Sequence, residues 1–413
     1  MSDSHRKMLL GTAFLSLVMG GTAWAGGFSR GTADTDILYE DGNFNMRSGV
    51  TYVSPHREFT KNPNPKLVGT NYTEDYAIPS AAIKFNLADN LRCAGTYVQN
   101  NGGSTKYDFP TASGKVLEEF TTYEAAATCA VSFDVGHGKF WLLGGGYSES
   151  LDYLRQDDYT GVNLGPLGVV SAGQANLDLG GQKYGYRIGA AYEIPEMALR
   201  AQIIYRSGTS YGATGTATAP AGILAAALNK QAPGAPNPFL GLPINYPVTL
   251  DAVGMGKLPQ SLDFRFQTGI APGWLAFGSV KWADWSKLTQ LQVVSAVGGY
   301  TITRNDYYWK DGWTVTGGVA HKFNDTVSGL ASLTWDRGVS TGYDLMGDAY
   351  TAALGVSLKD KLGGELRGGV AFSYLASAAE TKYGLDPNVT DTGDQAVKAG
   401  YAVAFNLGYN IKW

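Results

Sequence analysis

The sequence predicts an all-β protein, a closed antiparallel transmembrane β-barrel of about fourteen strands with a short N-terminal hatch in its lumen. Three observations predict it. Segments with an apolar residue at every second position recur from Met46 to Trp413, and no amphipathic helix interrupts them in the second half. The joints between them alternate between two or three polar residues and much longer stretches, as short turns on one side of a barrel and long loops on the other would. Tyr, Trp or Phe stands at the ends of many apolar faces, where an amphipathic ring is stable at the headgroup level of a bilayer.

Composition agrees. Aromatic residues are 12% and Gly reaches 55 while only 16% of residues are charged, a usage that favours many strands and tight turns. Beyond the first 25 residues no apolar run of about 18 or more appears, which excludes a helical membrane protein. A net charge of −4 gives nucleic acid no general attraction.

The elements follow in chain order. His5, Arg6 and Lys7 precede an apolar stretch from Met8 to Met19 and a small-x-small site at Ala23-Trp24-Ala25, so residues 1–25 read as a secretory signal cleaved after Ala25. Residues 26–44, GGFSRGTADTDILYEDGNF, follow neither period. They are either a plug folded into the lumen, anchored through Phe28, Arg30, Asp34, Asp36 and Asn45, or a periplasmic tail. The barrel then occupies residues 45–413.

Its predicted strands are 46–55, 76–87, 90–99, 120–134, 138–150, 182–194, 197–211, 258–270, 273–294, 310–323, 326–336, 349–358, 363–375 and 399–413. Short joints such as Ala88-Asp89-Asn90 and Ala271-Pro272-Gly273 follow even-numbered strands, and the longer segments 100–119, 151–181, 212–257, 295–309, 337–348 and 376–398 follow odd-numbered ones. In 182–194, Tyr184, Tyr186, Ile188 and Tyr192 oppose Lys183, Gly185, Arg187 and Glu193. In 258–270, Leu262, Phe264 and Phe266 oppose Asp263, Arg265 and Gln267. The last strand sets Tyr401, Phe405, Leu407 and Trp413 against Ala402, Asn406, Gly408 and Lys412. One face meets lipid and the other a lumen. Hydrocarbon satisfies no backbone group, so the first and last strands must pair.

Cys93 and Cys129 fall on the same face of consecutive strands. They are opposed if paired residue numbers sum to about 222, which leaves a disulfide or two buried thiols as the alternatives. Residues 161–170 and 219–250 are apolar for outer loops, and AGILAAAL at 221–228 has the makings of a short helix. These loops either cap one another or form a landing surface for a hydrophobic ligand. Arg187, Arg200, Arg206, Arg265, Lys281 and Arg367 point inward beside Glu124, Glu193, Asp263 and Glu365. Singly they read as ion pairs bracing the lumen, and together as a place for a carboxylate headgroup.

Three stretches resemble the FadL family of outer-membrane transporters for long-chain fatty acids: LRAQIIYRSGTSYGATG (199–215), KLPQSLDFRFQTGIAPGWLAFGSVKWADWSKLTQLQV (257–293) and YYWKDGWTVTGGVAHKFNDTVSGLASLTWDRGVST (307–341). The resemblance implies a fourteen-stranded barrel with a hatch, a hydrophobic groove between 151–181 and 212–257, an interior pocket and passive uptake of a fatty acid or similar molecule, an aromatic hydrocarbon included. It further implies that Arg155 and Arg304 lie near a ligand carboxylate, and that Gln99-Asn100-Asn101-Gly102-Gly103 corresponds to the lateral exit at a kink in the third strand. Ligand-binding candidates are thus Arg155, Arg304, Arg187, Arg206, Arg265 and Lys281, with Asn100, Asn101, Gly102 and Gly103 at the exit. Where the family carries Asn-Pro-Ala before its first strand, this chain has Asn45-Met46-Arg47-Ser48.

Expected partners are a hydrophobic small molecule, outer-membrane lipid and lipopolysaccharide, and the insertion machinery, with the chain a monomer and no cofactor. The rival from another class is an outer-membrane enzyme such as a phospholipase. After the signal only His56, His137 and His321 remain to serve it, two of them at short turns.

Overall fold

The structure is a computed structural model that describes residues 27–163, 169–361, 363–381 and 394–413; the leader expected over 1–25 lies outside them, as does part of the apolar segment 161–170. Fourteen antiparallel staves form one closed sheet. They are β1 (Phe44–His56), β2 (Tyr76–Ala88), β3 (Leu91–Lys106), β4 (Lys115–Val135), β5 (Gly138–Asn163), β6 (Val169–Ile194), β7 (Leu199–Arg206 and Thr209–Pro220) and β8 (Pro247–Leu258 and Ser261–Ala271). There follow β9 (Trp274–Ala283 and Gln290–Ser295), β10 (Thr301–Asp306 and Gly312–Lys322), β11 (Val327–Asp336), β12 (Ala349–Lys359), β13 (Gly364–Leu375) and β14 (Gly400–Lys412). Closure is complete: β1 pairs with β2 on one side and with β14 on the other, from Asn45↔Lys412 to His56↔Tyr401.

Burial is inverted relative to a water-soluble protein. On β14, Tyr401, Phe405, Leu407 and Trp413 are 45%, 54%, 57% and 67% exposed, while Ala402, Ala404 and Asn410 are buried. On β6, Tyr184, Tyr186 and Ile188 are exposed and Arg187 is buried. Large apolar groups outside and charges inside are the arrangement of a wall between hydrocarbon and a polar lumen. Register supplies the interfacial ring: Trp335, Tyr350, Tyr374 and Tyr401 stand opposite one another across β11 to β14, and Trp282 faces Trp313. No helix among the described residues is long and apolar enough to cross a membrane.

The strands outrun their expected limits. Most of 100–119 and 151–181 and parts of 212–257 and 295–309, read from sequence as loops, continue the ladder, and β5 and β6 stay paired from Lys139↔Glu193 to Asn163↔Val169. Beyond the membrane the outward face meets water, so the apolar side of the alternation changes to the inner wall, as Leu177 and Leu179 buried between exposed Asn176 and Asp178 show. The AGILAAAL segment lies in α1 (Ala221–Gln231), whose Leu224 and Ala225 pack with Ala175, Ala219 and Phe239, so the two apolar hairpins cap one another. Cys93 and Cys129 stand opposite in the β3–β4 register and are disulfide-bonded.

Two departures from regular pairing shape the lumen. First, β7, β8, β9 and β10 all break, at Ser207-Gly208, Pro259-Gln260, residues 284–289 and residues 307–311. Proline in β8 has no N–H for the ladder, and the wider breaks turn Trp285 and Trp309 inward, 0% and 3% exposed. Second, β2 and β3 part company. They pair from Ala88↔Leu91 up to Ser80↔Val98, next to Pro79, and no further. Above that level β3 carries a bulge between Gln99 and Asn101 and, of the staves, pairs with β4 alone, its other edge meeting Ser29 and Thr73 in single bridges.

Candidate functional site

The chain ahead of β1 fills the lumen. Thr35–Tyr39 forms one 3₁₀ turn, and Ile37, Leu38 and Tyr39 are buried against Ala82, Ala94, Ala130, Trp141, Leu143 and Ala191 on the inner wall. Small wall residues leave the turn room. Its polar side is held by charge: Asp36 meets Arg265 at 3.0 Å, Arg200 at 3.8 Å and Gln202 at 2.6 Å. Arg47 binds Asp34 at 2.7 Å and also Glu40, while Lys84 donates to the Glu40 carbonyl at 2.6 Å. Asn45, expected in the hatch, belongs instead to β1 and reaches back to Glu40 at 3.0 Å.

These carboxylates set the acid limit of the docked state. Burial alone would raise Asp36, but Arg265 and Arg200 outweigh it and hold its pKa below 3.8; Arg47 and Arg367 likewise hold Glu40 below 4.5. A depressed carboxylate contributes stability above its unfolded pKa and loses it only as pH falls through the depressed value. Protease protection of residues 27–43 is therefore expected to be unchanged from about pH 7 to about pH 5 and to fail only below the ordinary carboxylate range. Release already at about pH 5 would contradict this anchoring.

Above the turn, Phe28 sits in a cage of rings: Trp309, Phe120, Tyr307 and Trp285 lie 4.9, 5.1, 5.6 and 6.0 Å from it between centroids. Gly27, at φ 67, packs flat on Trp285 and Trp309, where a Cβ would come within 2.5 Å of the Trp309 ring. The cage is the floor of a cavity of about 200 Å³. Tyr153 and Leu291 line its side and a stack of Phe59, Tyr72 and Tyr107 joins its lining, with centroids 4.5 and 6.3 Å apart along Phe59–Tyr72–Tyr107. Burial pushes the Tyr72 phenol up to about 12 and raises the Asp344 carboxyl, which Trp309 hydrogen-bonds. The lining is mostly apolar, with Lys115 paired to Glu118 at 2.9 Å and Asp306 to Arg304 at 3.0 Å among its charged groups.

The cavity reaches the place where β2 and β3 diverge, through Tyr76, Gly102 and Gly103. There the hatch backbone takes the place of a strand. Arg30 and Gly31 N–H donate to Asn100 and Gln99 carbonyls at 2.9 Å each, and Gly102 N–H donates to the Phe28 carbonyl at 2.8 Å. Gly31 is wedged between Ile78 of β2 and Val98 of β3. Asn100 is tied to Glu149, which also takes Arg206 and Thr209 at 2.6 Å and Tyr211 at 2.9 Å.

The six basic candidates fall into two groups. Arg155 binds Asp157 at 2.9 Å and Thr303 at 2.8 Å, and Arg304 binds Asp306 at 3.0 Å. Arg187 and Arg206 share Glu124, Arg265 holds Asp263 at 2.6 Å, and Lys281 reaches Thr32 at 3.3 Å. The last four, with Asn100 and Asn101, line a second, polar cavity of about 60 Å³ behind the hatch. Sequence reading missed Glu149 and the cage residues Phe120, Trp285, Tyr307 and Trp309. Glu149 shares the inward parity of Tyr147 and Tyr153, and Phe120 that of Thr122 and Glu124, so both were open to that argument; Trp285, Tyr307 and Trp309 sit in strand breaks, where parity has no meaning.

A family model described as "Outer membrane protein transport protein (OMPP1/FadL/TodX)" matches residues 42–338. No curated protein matches the sequence. Among solved structures, a Pseudomonas aeruginosa FadL homologue is 16% identical at a TM-score of 0.71, covering 96% of this chain and 98% of that one. The Pseudomonas putida toluene transporter TodX is 12% identical at a TM-score of 0.60, with 96% and 97% covered. The Ralstonia pickettii toluene transporter TbuX is 14% identical at 0.60, with 98% and 99% covered. At these identities the structural likeness shows the fold alone.

Proposed function

Because the chain belongs to the OMPP1/FadL/TodX family of outer membrane transport proteins, barrels that carry hydrophobic compounds, we propose that its ligand rests in the ring-lined cavity and leaves sideways between β2 and β3 when the hatch withdraws. One observation carries this reading. The hatch backbone at Ser29 to Gly31 occupies the stretch where the two staves do not pair, and the cavity abuts that stretch. An apolar ligand gains about 25 cal/mol per Å² on leaving water for the rings. Passing from the rings into hydrocarbon costs it little, so a concentration gradient supplies the direction. The ligand enters from the outer rim, beside the hairpins β5–β6 and β7–β8 that pack on one another through α1.

In this reading Asn100 to Gly103 form the exit, while Arg155 and Arg304 brace the outer rim of the barrel. The reading assigns no catalytic step. His56 is engaged by Glu58 at 2.9 Å, and His321 packs on Trp274 and the Gly273 carbonyl.

The test joins hatch to wall. Ser29 and Asn101 oppose each other across an antiparallel bridge, within reach of an engineered disulfide. Oxidised Ser29→Cys/Asn101→Cys protein is expected to lose more than about tenfold in uptake of a labelled hydrophobic ligand and to recover on reduction. Wild type under the same reductant controls for Cys93–Cys129. Full uptake by the oxidised form would remove the hatch from the route.

A further inference from the structure

We propose that Arg30 is the residue by which the cavity separates hydrophobic carboxylic acids from neutral hydrocarbons, the ligand carboxylate taking the guanidinium and so loosening the hatch; this rests on the route proposed above. Among the described residues eight arginines are buried: Arg30, Arg47, Arg57, Arg155, Arg187, Arg200, Arg265 and Arg367. Six are in ion pairs. Arg57 gives its hydrogen bonds to the Leu345 and Ala376 carbonyls at 2.8 and 2.6 Å. Arg30 has neither arrangement. Its Cζ lies 3.9 Å from the Tyr76 ring centroid, and its Nη1 donates to the Gln99 amide oxygen at 2.8 Å once that amide is oriented to serve Ala77 as well.

A ring face and one amide oxygen leave most of the five guanidinium donors unused, although the group is 8% exposed. It faces the cavity, whose lining it joins. Among the charged groups that line it, the other cation is already engaged, and the one orphaned hydroxyl, on Thr105, carries no charge to hold an acid. Lys115 binds Glu118 at 2.9 Å, Asp306 holds Arg304, and Asp344 accepts from Trp309. Those carboxylates repel an anionic head and orient it toward Arg30, with the tail among Phe28, Phe120 and Trp309. A bidentate carboxylate is the stronger partner for a guanidinium than a ring face. Arg30 also lies flat against Gly102, where a Cβ would come within 2.6 Å of Cζ, and its own N–H closes the gap at Asn100. Drawing the side chain into the cavity therefore pulls on the backbone that plugs the wall.

Two probes of matched shape test this: 4-phenylbutyrate and butylbenzene, measured for uptake into proteoliposomes and for equilibrium binding to purified protein. Arg30→Gln is expected to lower 4-phenylbutyrate uptake and binding by about tenfold or more and to leave butylbenzene within about twofold. Arg30→Lys, which keeps the charge without the fork, should fall between. An equal loss of both probes would make Arg30 a structural residue of the hatch and overturn the inference, as would no loss of either. If wild type takes up neither probe, the transport route itself fails and this inference with it, an outcome the Ser29–Asn101 crosslink reports separately.

Discussion

Replacing Gly31 with valine is expected to open the barrel wall. A Cβ at this position would lie 2.4 Å from Val98 Cγ2, 2.8 Å from the Gln99 carbonyl oxygen and 3.2 Å from Ile78 Cγ2. The side chains have some freedom, but the carbonyl belongs to the β3 backbone and accepts the Gly31 N–H itself. The hatch strand cannot both keep that bond and admit a branched side chain. Overpacking costs about 1–3 kcal/mol, and each hydrogen bond given up about 0.5–1.5 kcal/mol. Since about 1.4 kcal/mol is a factor of ten in population, the undocked fraction should rise by one to two orders of magnitude. Planar-bilayer recordings of purified protein should show steady conductance well above wild type, with heat-modifiable migration in gels confirming an intact barrel. Wild-type conductance in Gly31→Val would mean that something other than Ser29 to Gly31 closes the wall.

Placing a charge on the lipid face should have the other large effect. Leu354 is 61% exposed at the middle of β12, four residues from Tyr350 in the aromatic rung and four from Leu358 near the short turn. The nine residues 350–358 are the length of a membrane-crossing β-strand, about 9–11 residues at a tilt of about 45°. An arginine at the midplane of a barrel costs about 2–4 kcal/mol and one at the interface about 0–1 kcal/mol. Leu354→Arg should therefore lower unfolding free energy in lipid vesicles by about 2–4 kcal/mol relative to Leu354→Ala, and Leu358→Arg by no more than about 1 kcal/mol. Equal costs at the two depths would remove the bilayer from the argument.

Much of the wall was open to reading in the sequence. The faces of β6, β8 and β14 fall as their alternation requires, and the sum rule for Cys93 and Cys129 agrees with the β3–β4 register. The outer ends of β4 to β8 were read as loops, because above the membrane the outward face meets water and the apolar residues of the alternation, such as Leu177 and Leu179, lie on the inner side instead. Inward charges were found one by one, yet which carboxylate each basic candidate meets, and that four of them gather at one cavity, was not read, since alternation says which face a residue takes and nothing of what it meets there.

What the sequence determined by itself is what two solvents demand of each strand separately: apolar groups toward lipid, small or polar ones toward the lumen, rings at the boundary, and a last strand that must meet the first. Those demands act residue by residue and leave a period in the chain. What the tertiary structure decided is where the barrel is interrupted and what fills the interruption. Phe28 among Trp285, Tyr307 and Trp309, Gly31 between Ile78 and Val98, and Arg30 across Gly102 join stretches far apart in the chain. Such meetings depend on register around the whole closed sheet, and no local pattern encodes them.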